Sequence, residues 1–291
     1  MKDNRSFAII GGDLRQVKMA NALAQDGYCV KIIGFNDIEF HKDIGIMNNI
    51  GDAVKDTDIV VAPLPCSLDN ETVNAPFYHS DIYFKDLFKQ LSKNHVFLGG
   101  KISDKVMKLA QVYNIYPIDY FNREELIVLN TIPTAEGAIQ IAMEELPITL
   151  HNSRCLILGF GRIGKMLASM LAGIGANVTV EARKHSDLAW IKSYGYKGIQ
   201  LNQLAEVIGD YDLIFNTVPS VILDKELLLR IRKECLVIDL ASKPGGVDFE
   251  MAKDLGVKTI WALSLPGKVA PNTAGDIIKD TIFNIIDELG V

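Results

Sequence analysis

The chain is 291 residues long, which is enough for two domains of ordinary size, and its 48% hydrophobic and 23% charged residues are typical of a soluble globular protein. The formal net charge is −6, and no block of Lys or Arg stands out. This pattern argues against a nucleic-acid or anionic-membrane surface, although it leaves room for a local basic pocket that binds an anionic substrate.

The first part of the chain alternates short apolar runs with helix-period segments. Strands are predicted at residues 7–10, 28–33, 59–62, 95–98 and near 115–116, with helical patterns at 17–24, 82–91 and 106–113. The first turn lacks the three-glycine spacing of a dinucleotide site, so a second dinucleotide is not expected there. Residues 1–132 therefore predict a doubly wound, flavodoxin-like α/β domain, which we expect to bind the substrate.

Asp13 and Arg15 follow the first strand, at the carboxyl end where open α/β sheets bind ligands. Two interpretations stay open at this point. Either Arg15 binds an anionic substrate, or Asp13 caps a helix and Arg15 lies on its solvated first turn.

A long helix is predicted from residue 130 to residue 146, with Pro133 near its start and Pro147 after its end. Since it carries the chain from the first domain to the second, its N-terminus is expected to face the cleft between them. Glu136 is placed in its first turn, where it either takes part in the chemistry or simply complements the helix dipole.

The most informative motif is Gly159-Phe160-Gly161-Arg162-Ile163-Gly164, which follows four apolar residues and opens a helix-period run. Gly159 is expected to permit a tight turn, Gly161 to let a pyrophosphate approach the backbone, and Gly164 to let the helix pack closely on its strand. A second strand resumes at residues 176–180, so the context is that of a bound dinucleotide.

The rest of the chain continues this layout. Strands are predicted near 199 and at 212–216, 236–240 and 258–262, a helix at 187–194, and a loop at 265–271 after the last strand. The loops after the later strands, among them Thr217-Val218-Pro219 and residues 241–246, should face the nicotinamide half of the cofactor. Residues 133–272 therefore predict a Rossmann dinucleotide-binding domain. An amphipathic final helix, 273–291, is expected to pack back on the first domain.

The end of the second Rossmann strand bears on the choice of cofactor. An acid there binds the ribose 2′-hydroxyl of NAD, whereas an Arg nearby accepts the 2′-phosphate of NADP. By strand count this position falls on Ala182, and strand alternation turns Glu181 to the other face. Arg183 and Lys184 then meet a 2′-phosphate with paired charge. The sequence therefore favours NADP over NAD, while a register slip of one residue would restore Glu181 as the ribose ligand.

None of the five histidines lies in the loops after the fourth, fifth or sixth strand of the second domain, where a 2-hydroxy-acid dehydrogenase would carry its general base. The polar groups expected near the cleft are Arg15, Lys101, Thr134, Glu136, Ser242, Lys243 and Lys268. Four of these seven groups are cations, which suits a small polycarboxylate substrate.

Six segments in this order resemble the A-subunit family of dipicolinate synthase, and the resemblance covers essentially the whole chain. They are residues 11–15, 63–65, 132–138, 159–162, 239–246 and 265–271. The resemblance implies an NADP-linked oxidation, during sporulation, of a dihydrodipicolinate-type intermediate of the lysine pathway to dipicolinate (pyridine-2,6-dicarboxylate). It also implies a flavoprotein-like B-subunit of dipicolinate synthase as partner and action in the mother-cell cytoplasm.

This substrate carries two carboxylates, and its oxidation makes an aromatic ring that supplies much of the driving force. As hypotheses, we assign Arg15 and Lys243 to carboxylate binding and Ser242 and Thr134 to hydrogen bonding. Glu136 is assigned to proton acceptance.

Two other functions stay open: an NAD(P)-dependent 2-hydroxy-acid or amino-acid dehydrogenase, and a non-catalytic NADP-sensing subunit. We also expect a homo-oligomer. The cysteines at positions 29, 66, 155 and 235 are far apart, which predicts core thiols in a reducing cytoplasm and no metal site. The short apolar run near the N-terminus predicts neither a signal peptide nor a membrane span.

Overall fold

The computed structural model describes residues 5–290. The chain divides into two compact units, which we call the first unit (Met1–Asn130 with Ala270–Val291) and the second unit (Thr131–Val269). Each unit contains a six-stranded parallel sheet with an apolar core on each of its two faces. The predicted α/β class with two doubly wound domains is confirmed.

The first unit begins with alternating strands and helices. They are β1 (Ser6–Ile10), α1 (Leu14–Gln25), β2 (Cys29–Ile33), β3 (Ile44–Ile46), α2 (Ile50–Val54), β4 (Ile59–Val61), α3 (Phe84–Gln90), β5 (Val96–Gly99), α4 (Asp104–Val112), β6 (Ile118–Asp119) and α5 (Glu124–Leu129). Every residue of β1 is buried, because Phe7 and Ile9 face one core and Ala8 and Ile10 face the other. A strand buried on both faces reads as a continuous apolar run, which is why the sequence predicted it.

The strands of the first sheet lie in the order β3-β2-β1-β4-β5-β6. Without the three-residue edge strand β3, the remaining order is 2-1-3-4-5, which is the flavodoxin-like order. The sequence missed β3, α2 and α5, since each has at most six residues and too few apolar positions to show a period. The short strand expected near residues 115–116 lies two residues later in the chain, as β6. Tyr116 is 75% exposed, and β6 begins only after Pro117, which has no N–H to donate to a ladder.

The second unit holds the remaining elements apart from the last helix. They are α6 (Thr131–Glu145), β7 (Arg154–Leu158), α7 (Arg162–Ile174), β8 (Asn177–Glu181), α8 (His185–Ser193), β9 (Lys197–Ile199), α9 (Leu204–Val207), β10 (Leu213–Asn216), α10 (Lys225–Leu228), β11 (Leu236–Asp239), α11 (Phe249–Asp254), β12 (Lys258–Trp261) and α12 (Leu265–Val269). The strand order is β12-β11-β10-β7-β8-β9, as in a Rossmann fold. Its crevice therefore opens at the carboxyl ends of β7 and β10.

Helix α12 corrects the expectation of a loop at residues 265–271. Pro266 lies in the first turn of α12, where the missing N–H of a proline costs no helical hydrogen bond. The helix packs on α6 in the core of the second unit.

The last helix, α13 (Pro271–Leu289), belongs to the first unit and packs on α1. Its buried face includes Ile278, Ile282 and Ile286. Ion pairs join Lys279 to Asp26 at 2.7 Å and Arg5 to Asp287 at 3.1 Å. The C-terminal segment thus completes the core of the first unit.

Within residues 5–290 one helical stretch, Glu124–Glu145, has the length and composition of a membrane span, with a mean hydropathy of 1.3. It comprises α5 and α6. Leu126, Ala135, Ala138 and Ala142 in this stretch are fully buried in the two cores, as in the core helices of globular domains.

Candidate functional site

The turn between β7 and α7 explains the spacing of the three motif glycines. Gly159 has φ +93°, and a Cβ on it would lie 2.7 Å from Thr217 Oγ1 and 2.8 Å from Val218 Cγ2. A Cβ on Gly164 would lie 3.1 Å from the carbonyl carbon of Gly159 and closer still to its oxygen. Only glycine fits at these two positions, because one needs a left-handed backbone and the other a close approach. The predicted residues 159, 164, 217 and 218 therefore come together at the carboxyl ends of β7 and β10.

Gly161 occupies a different environment. It is the N-cap of α7, and a Cβ placed on it would meet no protein atom within 4 Å. The first turn of α7 contains no acidic residue, and Arg162 there is exposed. The partial positive charge of the helix N-terminus therefore faces open space, and an anion such as a pyrophosphate fits there.

The remaining motif residues shape this turn. Phe160 is 7% exposed, and the ammonium of Lys165 lies 5.4 Å from the centre of its ring. Ile163 is half-buried and packs on the core under α7. Pro219 is exposed at the end of the loop that follows β10.

Glu181, the last residue of β8, lies on the face of the sheet that strand alternation predicted. Its ladder partners Leu158 and Ile199 pack in the core on that face, whereas Val180 and Ala182 pack in the core on the other face, under α7. The residue is 2% exposed, and its carbonyl oxygen accepts a hydrogen bond from the Gly159 N–H at 3.1 Å, so Glu181 lies next to the glycine turn. Burial raises the pKa of the Glu181 carboxyl, while the Gly159 N–H and the charge of Arg183 act in the opposite direction.

The carboxyl oxygen Oε1 of Glu181 is buried and has no hydrogen-bond partner among the described residues. An orphaned acceptor next to the glycine turn fits a ribose hydroxyl of a bound dinucleotide. Arg183 and Lys184 follow directly and are both exposed. A dinucleotide at this turn would thus meet one buried acid and two exposed cations near its adenosine ribose.

The loop after β11 carries the predicted residues Ser242 and Lys243, and both are exposed. The loop wraps around Asp239, whose carboxylate accepts hydrogen bonds from the N–H of Ala241 at 3.0 Å and of Gly246 at 2.7 Å. Asn216 at the end of β10 donates to the same carboxylate at 2.8 Å. Neither Asn216 nor Asp239 was assigned a role from the sequence. The sequence did contain a signal for these two residues, because each of two neighbouring apolar strands ends in a polar residue.

Thr134 and Glu136 lie on α6. Thr134 is half-buried, whereas Glu136 is exposed in a groove between α6 and α7 beside Ile139 and Met170. Because α6 begins at Thr131, Glu136 falls in the second turn, and the first turn contains no acidic residue. The interpretation of Glu136 as a first-turn partner of the helix dipole is therefore wrong.

In the first unit, Asp13 caps α1 and forms a capping box with Gln16, which confirms the predicted N-cap. Arg15 is not solvated, since it is only 8% exposed. Its Nε and Nη2 donate to the Asp13 carboxylate at 2.9 Å and 2.7 Å, and Nη2 also donates to the carbonyl oxygen of Leu64. Among the described residues, Nη1 has no partner. A buried guanidinium with one open donor thus lies at the carboxyl ends of β1 and β4, where open sheets bind ligands.

The cysteines have no catalytic environment. Burial raises the pKa of Cys66 and of Cys235 to about 12 and that of Cys155 to about 11, so these thiols are not nucleophilic at neutral pH. These three thiols are buried, as predicted for core thiols, whereas Cys29 is exposed, and for Cys29 that prediction is wrong. Over residues 5–290, no group of three or more His, Cys, Asp or Glu could hold a metal ion.

Comparison with known proteins agrees with this geometry. Residues 133–242 match the family described as D-isomer specific 2-hydroxyacid dehydrogenase, NAD binding domain. The second unit is therefore a dehydrogenase-type domain that binds a nicotinamide dinucleotide. An L-alanine dehydrogenase structure shares the fold, with a TM-score of 0.66 at 15% identity over 97% of this chain and 90% of that one.

More specific matches extend over nearly the full length. Residues 6–121 match the family described as the N-terminal domain of the dipicolinate synthase A-subunit. The crystal structure of the A-subunit of dipicolinate synthase from Bacillus halodurans has a TM-score of 0.89 at 29% identity, covering 98% of this chain and 99% of that one. The dipicolinate synthase A-subunit of Bacillus subtilis is 31% identical over 285 residues, which are 97% of this chain and 96% of that protein. With both halves matched in one alignment, the chain belongs to the A-subunit family of dipicolinate synthase.

Proposed function

We propose that this protein oxidises a dihydrodipicolinate-type dicarboxylate of the lysine pathway to dipicolinate, with a nicotinamide dinucleotide as electron acceptor. The observation that carries the proposal is the glycine turn between β7 and α7, with its open N-terminus at Gly161 and the orphaned oxygen of Glu181. Membership of the dipicolinate synthase A-subunit family supports the choice of substrate. In this proposal the first unit is the substrate domain and the second unit the nucleotide domain.

The bound nucleotide would supply hydride acceptance, and the chain would supply position and charge. The backbone around Gly161 and the N-terminus of α7 hold the pyrophosphate. Thr217, Val218 and Pro219 border the same crevice from the end of β10 and orient the nicotinamide half. None of these groups needs to change its protonation state.

The preference between NADP and NAD depends on the end of β8. Arg183 and Lys184 support NADP, which is the sequence-based prediction, because two exposed cations can pair with a 2′-phosphate. The buried carboxyl of Glu181 supports NAD instead, since an ionised acid at the ribose would repel that phosphate. Titrating the full chain with each nucleotide and following tryptophan fluorescence decides between them.

Variants at this position sharpen the comparison. We expect Glu181→Gln to weaken NAD binding and to improve NADP binding. The double change of Arg183 and Lys184 to Ala should weaken NADP binding by at least about tenfold, because two charge-assisted contacts are lost, and should leave NAD binding unchanged. If Glu181→Gln alters neither affinity, the carboxyl does not contact the nucleotide.

We propose that Arg15 in the first unit binds a substrate carboxylate through its open Nη1. Its hydrogen bonds to Asp13 and Leu64 hold the guanidinium in one orientation, so little side-chain entropy is lost on binding. In the second unit, Lys243 is proposed to bind a carboxylate, and Ser242 and Thr134 to donate hydrogen bonds to the substrate.

Glu136 is proposed to accept the proton that leaves the ring when it becomes aromatic. It is an exposed carboxyl on α6, and its groove is lined by apolar side chains such as Ile139 and Met170.

The wider setting follows from the family. The Bacillus subtilis relative is the A-subunit of a dipicolinate synthase, and we propose that this chain likewise assembles with a B-subunit, forms a homo-oligomer and acts in the mother-cell cytoplasm during sporulation. Size-exclusion chromatography with light scattering, with and without the B-subunit, tests the assembly.

The deciding experiment gives the full chain, alone and with the B-subunit, the lysine-pathway intermediate together with NADP or NAD. Reduction of the nucleotide with formation of dipicolinate is the expected result. The likeness to 2-hydroxyacid dehydrogenases favours a second candidate, an NAD(P)-dependent 2-hydroxy-acid or amino-acid dehydrogenase, which oxidation of NADH by 2-keto acids would reveal. Nucleotide binding without turnover of any of these substrates would instead support a non-catalytic, NADP-sensing role.

A further inference from the structure

Two polar side chains close neighbouring strands at the centre of the second sheet. Asn216 ends β10, Asp239 ends β11, and the two residues are direct partners in the parallel ladder. Both are fully buried. A buried acid and a buried amide at such a position are costly unless every polar atom is satisfied.

The Asp239 carboxylate is satisfied by three N–H donors. Ala241 N–H and Asn216 Nδ2 donate to Oδ1 at 3.0 Å and 2.8 Å, and Gly246 N–H donates to Oδ2 at 2.7 Å. The two backbone donors belong to the beginning and the end of the loop that carries Ser242 and Lys243. The Asp239 carboxylate therefore holds the two ends of this loop in place.

Asn216 ties the neighbouring loop into the same network. Its Nδ2 donates to the carbonyl of Val218 at 3.0 Å, and its Oδ1 accepts from the Val218 N–H at 3.2 Å. The Thr217–Pro219 loop and the 241–246 loop thus share one hydrogen-bonded pair.

The two loops are also in direct contact. A Cβ on Gly246 would lie 2.6 Å from the carbonyl oxygen of Val218 and closer still to Asn216 Nδ2, so only glycine fits there. Gly245 has φ +88°, and a Cβ on it would lie 2.9 Å from Asp239 Oδ2. The adjacent glycines of the Ser242-Lys243-Pro244-Gly245-Gly246 segment are thereby explained by the pair beneath them.

We propose that Asn216 and Asp239 are positioning residues, which set the placement of Ser242 and Lys243 relative to the loop that borders the nucleotide. The expected effect on turnover rests on the proposed function, whereas the anchoring of the 241–246 loop by Asp239 does not. A carboxylate is required at position 239 because three donors converge on it, whereas a carboxamide offers one acceptor oxygen and turns an NH₂ toward a remaining donor.

The chain contains its own reporter of this loop. The indole Nε1 of Trp261 donates to the carbonyl of Ala241 at 2.9 Å, and its ring stacks on Phe249 with the centroids 5.1 Å apart. The chain has two tryptophans, so a Trp190→Phe background leaves Trp261 as the single probe.

The test compares Asp239→Asn with Asp212→Asn in this background. Asp212 lies just before β10, at the amino ends of the strands and away from the loops at their carboxyl ends, and accepts hydrogen bonds from Arg154 and Arg232. We expect Asp239→Asn to shift the Trp261 emission to the red, to speed hydrogen exchange of the peptide containing Gly246 by at least about tenfold, and to lower kcat about 100-fold. Nucleotide affinity should stay within about threefold, because the donors to the Asp239 carboxylate are Ala241, Gly246 and Asn216 and not the glycine turn that holds the pyrophosphate.

Asp212→Asn is the matched control. It should lower the melting temperature, since two ion pairs are lost, but it should leave the Trp261 emission and kcat unchanged. The swap Asn216→Asp with Asp239→Asn adds a second check. It restores the contact between the two side chains but not the two acceptors for the loop, so the Trp261 emission and kcat should remain altered.

The inference is overturned if Asp239→Asn leaves the emission and the exchange at Gly246 as in the parent protein, or if both change while kcat does not. Full rescue by the swap would also overturn it, because contact between the side chains would then suffice. If the parent protein turns over no substrate, the proposed function fails, and the emission and exchange results still decide whether Asp239 anchors the loop.

Discussion

Alanine substitutions at two glycines of the same motif are expected to damage different properties of the protein. Gly164→Ala places a Cβ 3.1 Å from the Gly159 carbonyl carbon and closer still to its oxygen, whereas Gly161→Ala places one where no protein atom lies within 4 Å. The first change should destabilise the second unit. The second should leave its stability intact and weaken nucleotide binding.

The magnitude for Gly164→Ala follows from what the new methyl group meets. The neighbour is backbone, and it is held by the Gly159 N–H bond to Glu181 O at 3.1 Å and the Thr217 N–H bond to Leu158 O at 3.0 Å. Since neither strand can move without disturbing these hydrogen bonds, we expect the free energy of unfolding to fall by about 3 kcal/mol, near the upper end of the range for overpacking. For a unit of this size that lowers the melting temperature by roughly 6–12 °C.

For Gly161→Ala two opposing contributions to the free energy of unfolding nearly cancel. Alanine is a poorer N-cap than glycine, but it also restricts the unfolded chain, so the net change should stay within about 0.5 kcal/mol. The Cβ occupies the open space at the N-terminus of α7. A displaced pyrophosphate would lose at least one charge-assisted hydrogen bond to the backbone, which weakens binding by at least about tenfold.

Both effects can be measured with the native fluorophores. Trp190 and Trp261 both lie in the second unit, so thermal unfolding followed by tryptophan fluorescence reports on that unit. Nucleotide affinity is measured by calorimetric titration with NADP and with NAD. The reasoning is refuted if Gly161→Ala melts as early as Gly164→Ala, or if Gly161→Ala binds both nucleotides with the affinity of the parent protein.

Three further predictions concern single side chains. Arg15→Ala should raise KM for the dicarboxylate and leave nucleotide affinity nearly unchanged, because Arg15 lies in the first unit; unchanged steady-state kinetics would remove it from the site. Glu136→Gln should lower kcat and abolish the fall in rate at low pH that protonation of a catalytic base causes, and a profile like that of the parent protein would exclude it as the base. Burial raises the pKa of Glu181, so the folded state is favoured while Glu181 is protonated and loses that advantage as the pH rises through its folded pKa. Glu181→Gln should therefore melt at a higher temperature than the parent protein at neutral pH and at a similar temperature in acid. Thermal melts across this pH range test the prediction, and a difference in melting temperature that does not change with pH would contradict it.

The sequence by itself determined the fold class and the nucleotide turn. Strands such as β1 are buried on both faces and read as uninterrupted apolar runs, and their spacing with helix-period segments permits few arrangements other than a doubly wound sheet. The three glycines could be assigned in advance because a strand, turn and helix that bind a dinucleotide require glycine at this fixed spacing.

Only the tertiary structure decided the contacts between segments that are far apart in the chain. The burial of Glu181 depends on the pairing of β8 with β7 and β9, which the apolar pattern of the sequence does not describe. The burial of Arg15 depends on the carbonyl of Leu64, which is 49 residues away. Asn216 and Asp239 look like ordinary strand ends until the ladder places them side by side. The hydrophobic period is a local property of the chain, whereas the partner of a buried polar group is fixed only when the strands pair. For that reason the sequence located the site but not the hydrogen bonds among its buried polar side chains.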